Sequence, residues 1–170
     1  PGQSGPLPGV DELPPHVGAA RVFPRTHSFA PVDWCVGSLL RYLVEHRLPL
    51  LVWHTEIDLR DLHHLARAFP DLPVIVESQT RKIIYHTRTL FSLMEDCPNV
   101  MVELSNLVGQ GLLEYVVNRF GAERLIYGSF LPVNDPLVPI GMLLDADITS
   151  AHRALIAGGN LRRLLDEVRR

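Results

Sequence analysis

Cysteine is scarce in this 170-residue chain. Cys35 and Cys97 are too few for a disulfide framework and form no Cys-x-x-Cys pair. Both fall in amphipathic stretches, which reads as free thiols in a reducing compartment, so a cytoplasmic location is expected. Long apolar runs are missing as well. Stretches such as 48–53 fall far short of the roughly 20 residues of a membrane helix, and no charged-then-apolar signal peptide opens the chain. No membrane partner is therefore expected. Charge of one sign is also lacking, because 16 Lys and Arg against 19 Asp and Glu leave a net −3 with no basic stripe. Nucleic acid needs clustered positive charge and is not the expected partner. No phosphate-binding loop occurs, since residues 157–160 lack both a preceding strand and a Lys. No Gly-x-Ser-x-Gly elbow occurs either, which excludes an α/β-hydrolase serine.

What the chain does contain is 46% hydrophobic and 21% charged residues, the balance of one globular domain with a buried core. Residues 1–18 are crowded with Pro1, Pro6, Pro8, Pro14 and Pro15 and with Gly2, Gly5, Gly9 and Gly18, so they read as a loop or extended lead-in. The folded portion is expected over 19–170. There, short β-type runs at 19–23, 48–54, 73–76, 100–104 and 124–127 alternate with helical periodicity at 32–46, 59–68, 81–96 and 110–120. Pro70 stops the second helix, and Gly121 offers a left-handed cap to the fourth. Further helices are expected at 137–146, 150–157 and 161–168, with Asn160 as N-cap of the last. Five βα units in a row imply a parallel sheet, either doubly wound or part of a (β/α)₈ barrel, whose full length is about 250 residues.

In both architectures ligands bind beyond the C-terminal ends of the strands. Those ends carry Arg25 and His27, then His54, Thr55 and Glu56, then Glu77, Ser78 and Gln79, then Glu103, Ser105 and Asn106, and last Ser129. His54, Glu77 and Glu103 are the candidate catalytic groups: an imidazole serves as base or metal ligand, and two carboxyls serve acid–base chemistry or a metal. Arg25, His27, Glu56, Gln79, Asn106, Ser129 and Phe130 are the candidate substrate contacts. Trp53, Leu107 and Leu131 add an apolar element to the mouth or else pack against neighbouring loops. A strand-end His is also commonly a hydrogen-bonded structural residue, and strand-end carboxylates also cap helices or pair with Arg. His63 and His64 lie mid-helix and point about 100° apart, so they are expected on the surface or in packing. His86 and His152 fall in helices without a partner at ligand spacing, and His16 belongs to the lead-in.

From 48 to the C-terminus, the pieces PLLVWHTE (49–56), FPDLPVIVES (69–78), CPNVMVELSN (97–106) and RFGAERLIYGSFLP (119–132), with the outline of 148–165, occur in an order that resembles the amidohydrolase superfamily. The resemblance is to the C-terminal part of its amidohydrolase-related, decarboxylase-like branch. It implies a (β/α)₈ barrel of which this chain supplies about five units, the fourth to eighth. It further implies a divalent metal, zinc or manganese, and hydrolysis of amide, ester or lactone bonds or decarboxylation of a small-molecule substrate. Carried over, His54 matches the strand-five histidine and is the expected metal ligand. Glu77 stands where strand six usually has histidine, Phe130 stands where strand eight has aspartate, and the strand-one His-x-His has no counterpart. A lone imidazole does not hold zinc, which takes about four ligands. The expectation is therefore an amidohydrolase-like hydrolase with a degenerate or incomplete metal site, or a barrel that binds a small molecule or partner protein without catalysis. Two open sheet edges would be closed by a homodimer or by the missing N-terminal half of a barrel.

Overall fold

The computed structural model describes residues 16–78, 86–105 and 107–169. The expected lead-in at 1–15, the start of the third helix at 81–85, Gln79 and Asn106 lie outside them. The element order is β1 (Ala20–Val22), α1 (Asp33–Glu45), β2 (Leu50–Trp53), α2 (Leu59–Ala68), β3 (Val74–Glu77), α3 (Thr87–Asp96), β4 (Val100–Glu103), α4 (Leu112–Phe120), β5 (Leu125–Ile126), α5 (Leu137–Asp145), α6 (Ser150–Ala154) and α7 (Asn160–Asp166). All strand pairs are parallel, and the strands lie side by side in chain order, β1-β2-β3-β4-β5. A doubly wound sheet reverses its strand order at a switch point, whereas a barrel adds each strand beside the last. The sequential order makes this sheet an arc of a (β/α) barrel.

Strand periodicity of two then sorts the side chains. Leu50, Val52, Val74, Val76, Val100, Val102 and Leu125 point to the helical layer and are almost fully buried. Each such side chain contributes roughly 1.5–3 kcal/mol of transfer free energy. Helix α2 meets this layer through Leu62, Leu65 and Ala66 at the spacing of one helical face, and Asp58 caps it by accepting from the Arg60 amide at 2.8 Å. On the other face Ile75, Met101 and Ile126 form a second, smaller cluster with Leu164, flanked by Leu51 and Leu161. Two of the three leucines in that set, Leu161 and Leu164, come from α7. Its first residue is tied to Ala122 ahead of β5 and to Leu125 at the start of β5, and the Arg169 amide beyond its end donates to His46 O ahead of β2. Helix α7 therefore crosses the N-terminal ends of the strands and seals the concave face from below.

Three side chains stitch that lower end to backbone carbonyls. Asn99 Nδ2 reaches the carbonyls of Ala66, Phe69 and Leu72, and the Arg124 guanidinium donates to those of Val100, Met94 and Cys97. Asn160 Nδ2 donates to Ala122 O and Leu125 O at 2.8 Å. Asn160 is thus fully buried inside a helical turn and is not the expected N-cap, because these remote carbonyls draw its side chain away from its own helix start. Residues Leu155–Gly159 lead from α6 to α7 across a kink at Gly158, whose backbone is not helical, so the two expected helices are separated there. His86 also differs from expectation: it precedes α3 as its N-cap residue, and its ring lies 6.2 Å from that of His54. Leu107 is buried in the main core and not at the mouth. Among the described residues no helix is long and apolar enough to cross a membrane.

Candidate functional site

At the C-terminal ends of the strands the concave face changes from apolar to charged. The inward residues run from Leu51, Ile75 and Ile126 at the floor to Trp53, Glu77 and Glu103 above, and β2 and β3 pair Trp53 with Glu77 in register. With Arg21, Tyr127, Gly128, Ser129, Phe130 and Leu131 they enclose a cavity of about 440 Å³. Trp53 and Phe130 stand edge to face with centroids 6.0 Å apart, and Phe130 holds a left-handed φ of 53°. Arg21 reaches from β1 across to Glu77 and donates through Nε and Nη2 at 2.8 and 2.6 Å, a bidentate pair. Both Glu77 oxygens are engaged by the guanidinium.

Glu103 is held differently. Ser105 N donates to Oε1 at 2.7 Å, Ser78 N donates to Oε2 at 3.1 Å, and Ser105 Oγ lies 2.8 Å from Oε2. Burial pushes its carboxyl up to about 7, against the pull of these donors and helped by the neighbouring Glu77 charge. Hydrogen counting agrees. The single Ser105 hydroxyl hydrogen faces two acceptors at 2.8 Å, Glu103 Oε2 and the carbonyl of Ser78. A protonated Glu103 resolves this, donating to Ser105 Oγ while Ser105 donates to Ser78 O. Gly128 makes room for the arrangement, because a Cβ there would fall on Glu103 Oε1. Glu77 and Glu103 thus form a pair of carboxyls with opposed environments, one paired as an anion and one favoured as an acid.

His54 opens elsewhere. It follows Trp53, so strand parity turns it to the other side of β2, where it lines a cavity of about 410 Å³ with Arg25, Thr55, Asp58, His86 and Thr89. Its Nδ1 lies 3.3 Å from the Glu77 carbonyl. Arg25 Nη1 donates to Thr55 O, and Glu56 accepts from both the amide and the hydroxyl of Thr26. The Thr26 amide holds the Glu56 carboxyl below its ordinary range, fixing the β1–α1 loop against the β2–α2 loop. His27 packs edge-on against Phe23. The structure therefore brings Glu77, Glu103, Ser129 and Phe130 together in one cavity and places His54 and Arg25 in the other. Gln79 and Asn106 lie outside the described residues. Arg21 and Gly128 escaped sequence reasoning, and Ser78 and Ser105 stood in it as strand-end residues without a role. An arginine alternating with apolar residues in β1 was the one signal available for Arg21.

Among the described residues, the donors at this mouth do not fit a divalent metal. His54 opens on the second cavity, the Glu77 oxygens hold Arg21, the Glu103 oxygens accept from Ser78 and Ser105, and Phe130 has no ligand atom. Among the described residues, the His, Cys, Asp and Glu side chains that bring three ligand atoms within 4.8 Å of one another are His63, Asp96 and Cys97. Asp96 and Cys97 precede β4 and so belong to the opposite end of the sheet.

Comparison with solved structures places this arc in known company. An uncharacterized TIM-barrel protein from Bordetella bronchiseptica superposes with a TM-score of 0.72 over 89% of this chain and 58% of its own, at 18% identity. An amidohydrolase from Bifidobacterium longum subsp. infantis gives 0.68 over 91% and 63%, at 20% identity. A 5-carboxyvanillate decarboxylase from Sphingomonas paucimobilis gives 0.56 over 76% and 52%, at 14% identity. The chain thus spans about three-fifths of the length of the first two barrels. No curated protein matches it significantly. A family model described as amidohydrolase matches residues 9–166, nearly the whole chain, and with the sequential parallel arc this shows that the chain belongs to the amidohydrolase superfamily.

Proposed function

We propose that these five βα units carry the acid–base side of an amidohydrolase-like site that acts on a small molecule, by hydrolysis of a C–N or related bond or by decarboxylation. The observation that carries this reading is Glu103, a buried carboxyl pushed up to about 7 inside a cavity at the strand ends. A general acid works best with a pKa near the operating pH. In this reading Glu103 supplies the proton. Glu77, fixed by Arg21, sets the charge beside it and helps keep Glu103 neutral. Trp53, Phe130 and Leu131 exclude water and hold the apolar part of the substrate. The family usually employs a divalent metal, zinc or manganese, which polarises the scissile group and its attacking water. Among the described residues this mouth does not assemble its ligands, and the reading rests on the acid–base groups.

The test is turnover of a panel of aryl amides, lactones and aromatic carboxylic acids by the purified chain, with and without added Zn²⁺ or Mn²⁺. The expected result is activity that falls as pH rises through about 7, with Glu103→Gln reducing kcat by about 10²- to 10⁴-fold. His54→Ala separates the two cavities, since His54 does not line the Glu103 cavity and its loss should leave that pH limb in place. A second reading, a barrel that binds a small molecule without turnover, is favoured by Phe130 at the strand-eight position and by carboxylates already occupied by protein donors. Tight ligand binding with no turnover under any metal condition would select it.

A further inference from the structure

We propose that His63, Asp96 and Cys97 form a zinc-binding site that clips α2 to the end of α3. One ligand atom from each lies within 4.8 Å of the other two. The set is one imidazole nitrogen, one carboxylate oxygen and one thiolate sulfur, which is chemistry suited to Zn²⁺ with a water as fourth ligand. The residues come from two elements whose backbones are already fixed. His63 sits in the second turn of α2, Asp96 is the last residue of α3, and the Cys97 amide donates to Leu93 O at 2.8 Å as the helix ends.

Tetrahedral zinc at its usual bond lengths needs ligand atoms about 3.3–3.5 Å apart. His63 Nε2 and Asp96 Oδ2 are 2.6 Å apart, sharing a hydrogen bond, and must open by about 0.7 Å to admit the ion. Both side chains are half-exposed and free to do so, while the buried Cys97 supplies the fixed ligand beneath them. Binding is balanced by proton loss: the thiol releases one proton to solvent, and the neutral imidazole presents Nε2 with its hydrogen on Nδ1. Arg67 Nη1, 3.5 Å from Asp96 Oδ1, occupies the same carboxylate and must swing out. It is an exposed, flexible cation that competes with the metal.

The experiment titrates the purified chain with Zn²⁺ by calorimetry and with Co²⁺ by absorption spectroscopy under a reductant that does not bind metal. One equivalent should bind, Co²⁺ should give a thiolate charge-transfer band, and Arg67→Gln should tighten binding. His63→Gln and Cys97→Ser should each weaken Zn²⁺ by about tenfold or more, and Cys35→Ser should not. Absence of the thiolate band in the unmodified chain, or unchanged affinity in His63→Gln, overturns the proposal. His63 is half-exposed, so that variant decides even if Cys97→Ser fails to fold.

Discussion

Replacing Glu103 with Gln tests the acid without touching shape. The carboxyl sits near 4.5 in an unfolded chain and at about 7 in the fold. A raised carboxyl stabilises the folded state below the unfolded value, and that stabilisation is lost as pH rises through the folded one. Between the two values the folded chain keeps a proton that the unfolded chain has released. That gap corresponds to about 3 kcal/mol, about three-quarters of it lost between about pH 5 and pH 8. Gln does not titrate. Its amide still donates to Ser105 Oγ but meets the Ser78 amide, now 3.1 Å from Oε2, with a second donor. That clash costs about 1–3 kcal/mol at every pH and cancels in a difference of differences. Urea unfolding of both proteins near pH 5 and pH 8 gives the comparison directly. The unmodified chain should lose about 2–3 kcal/mol more than Glu103→Gln over that interval. Parallel pH profiles for the two would refute the neutral Glu103, and with it the reading of Ser105 as a relay from Glu103 to the Ser78 carbonyl.

Three further outcomes follow from the same geometry. Arg21→Gln leaves the Glu77 carboxylate, only 14% exposed at its side chain, without its bidentate partner, and should lower stability by about 1–2 kcal/mol in thermal melts. Gly128→Ala puts a methyl on Glu103 Oε1, so it should cost about 1–3 kcal/mol and shrink the pH-dependent difference as the carboxyl is driven from its pocket. Arg124→Lys cannot span the carbonyls of Val100, Met94 and Cys97, and should cost about 2–3 kcal/mol in urea unfolding while leaving the Glu103 titration in place.

The strands were legible because each is a short apolar run between Pro, Gly or polar residues, and the outward Val and Leu positions alternate as a covered parallel sheet requires. The rim was harder. Residues just beyond strands read as one ring of polar groups, yet a shift of one position along a strand turns a side chain to the opposite face. Glu77 is the last residue of β3 and points inward, whereas His54 is one past the end of β2 and points away. That difference rests on strand length and register, which depend on pairing partners far along the chain. Ser78 and Ser105 were named as rim residues without a role, because their partnership with Glu103 joins two strand ends 25 residues apart. Asn99 and Arg124 carried no local signal, since the carbonyls they bind exist as targets only once α2 and α3 have docked.

These placements divide the sheet by function. At the N-terminal ends, polar side chains are consumed by backbone carbonyls: Asn99, Arg124 and Asn160 together close the turns beneath β3, β4 and β5. At the C-terminal ends, polar side chains face one another and the cavity, and their charges depend on mutual distance more than on the backbone. Burial of a carboxyl is costly, and a protein selected for stability alone would fill the Glu103 position with an apolar residue. The chain instead surrounds Glu103 with two serines, removes the Cβ at Gly128 to seat it, and sets an Arg-paired Glu77 beside it. Stability at the lower end offsets that cost, so α7 serves the site twice, through Leu161 in the cavity lining and through the buried Asn160 that anchors the helix beneath it.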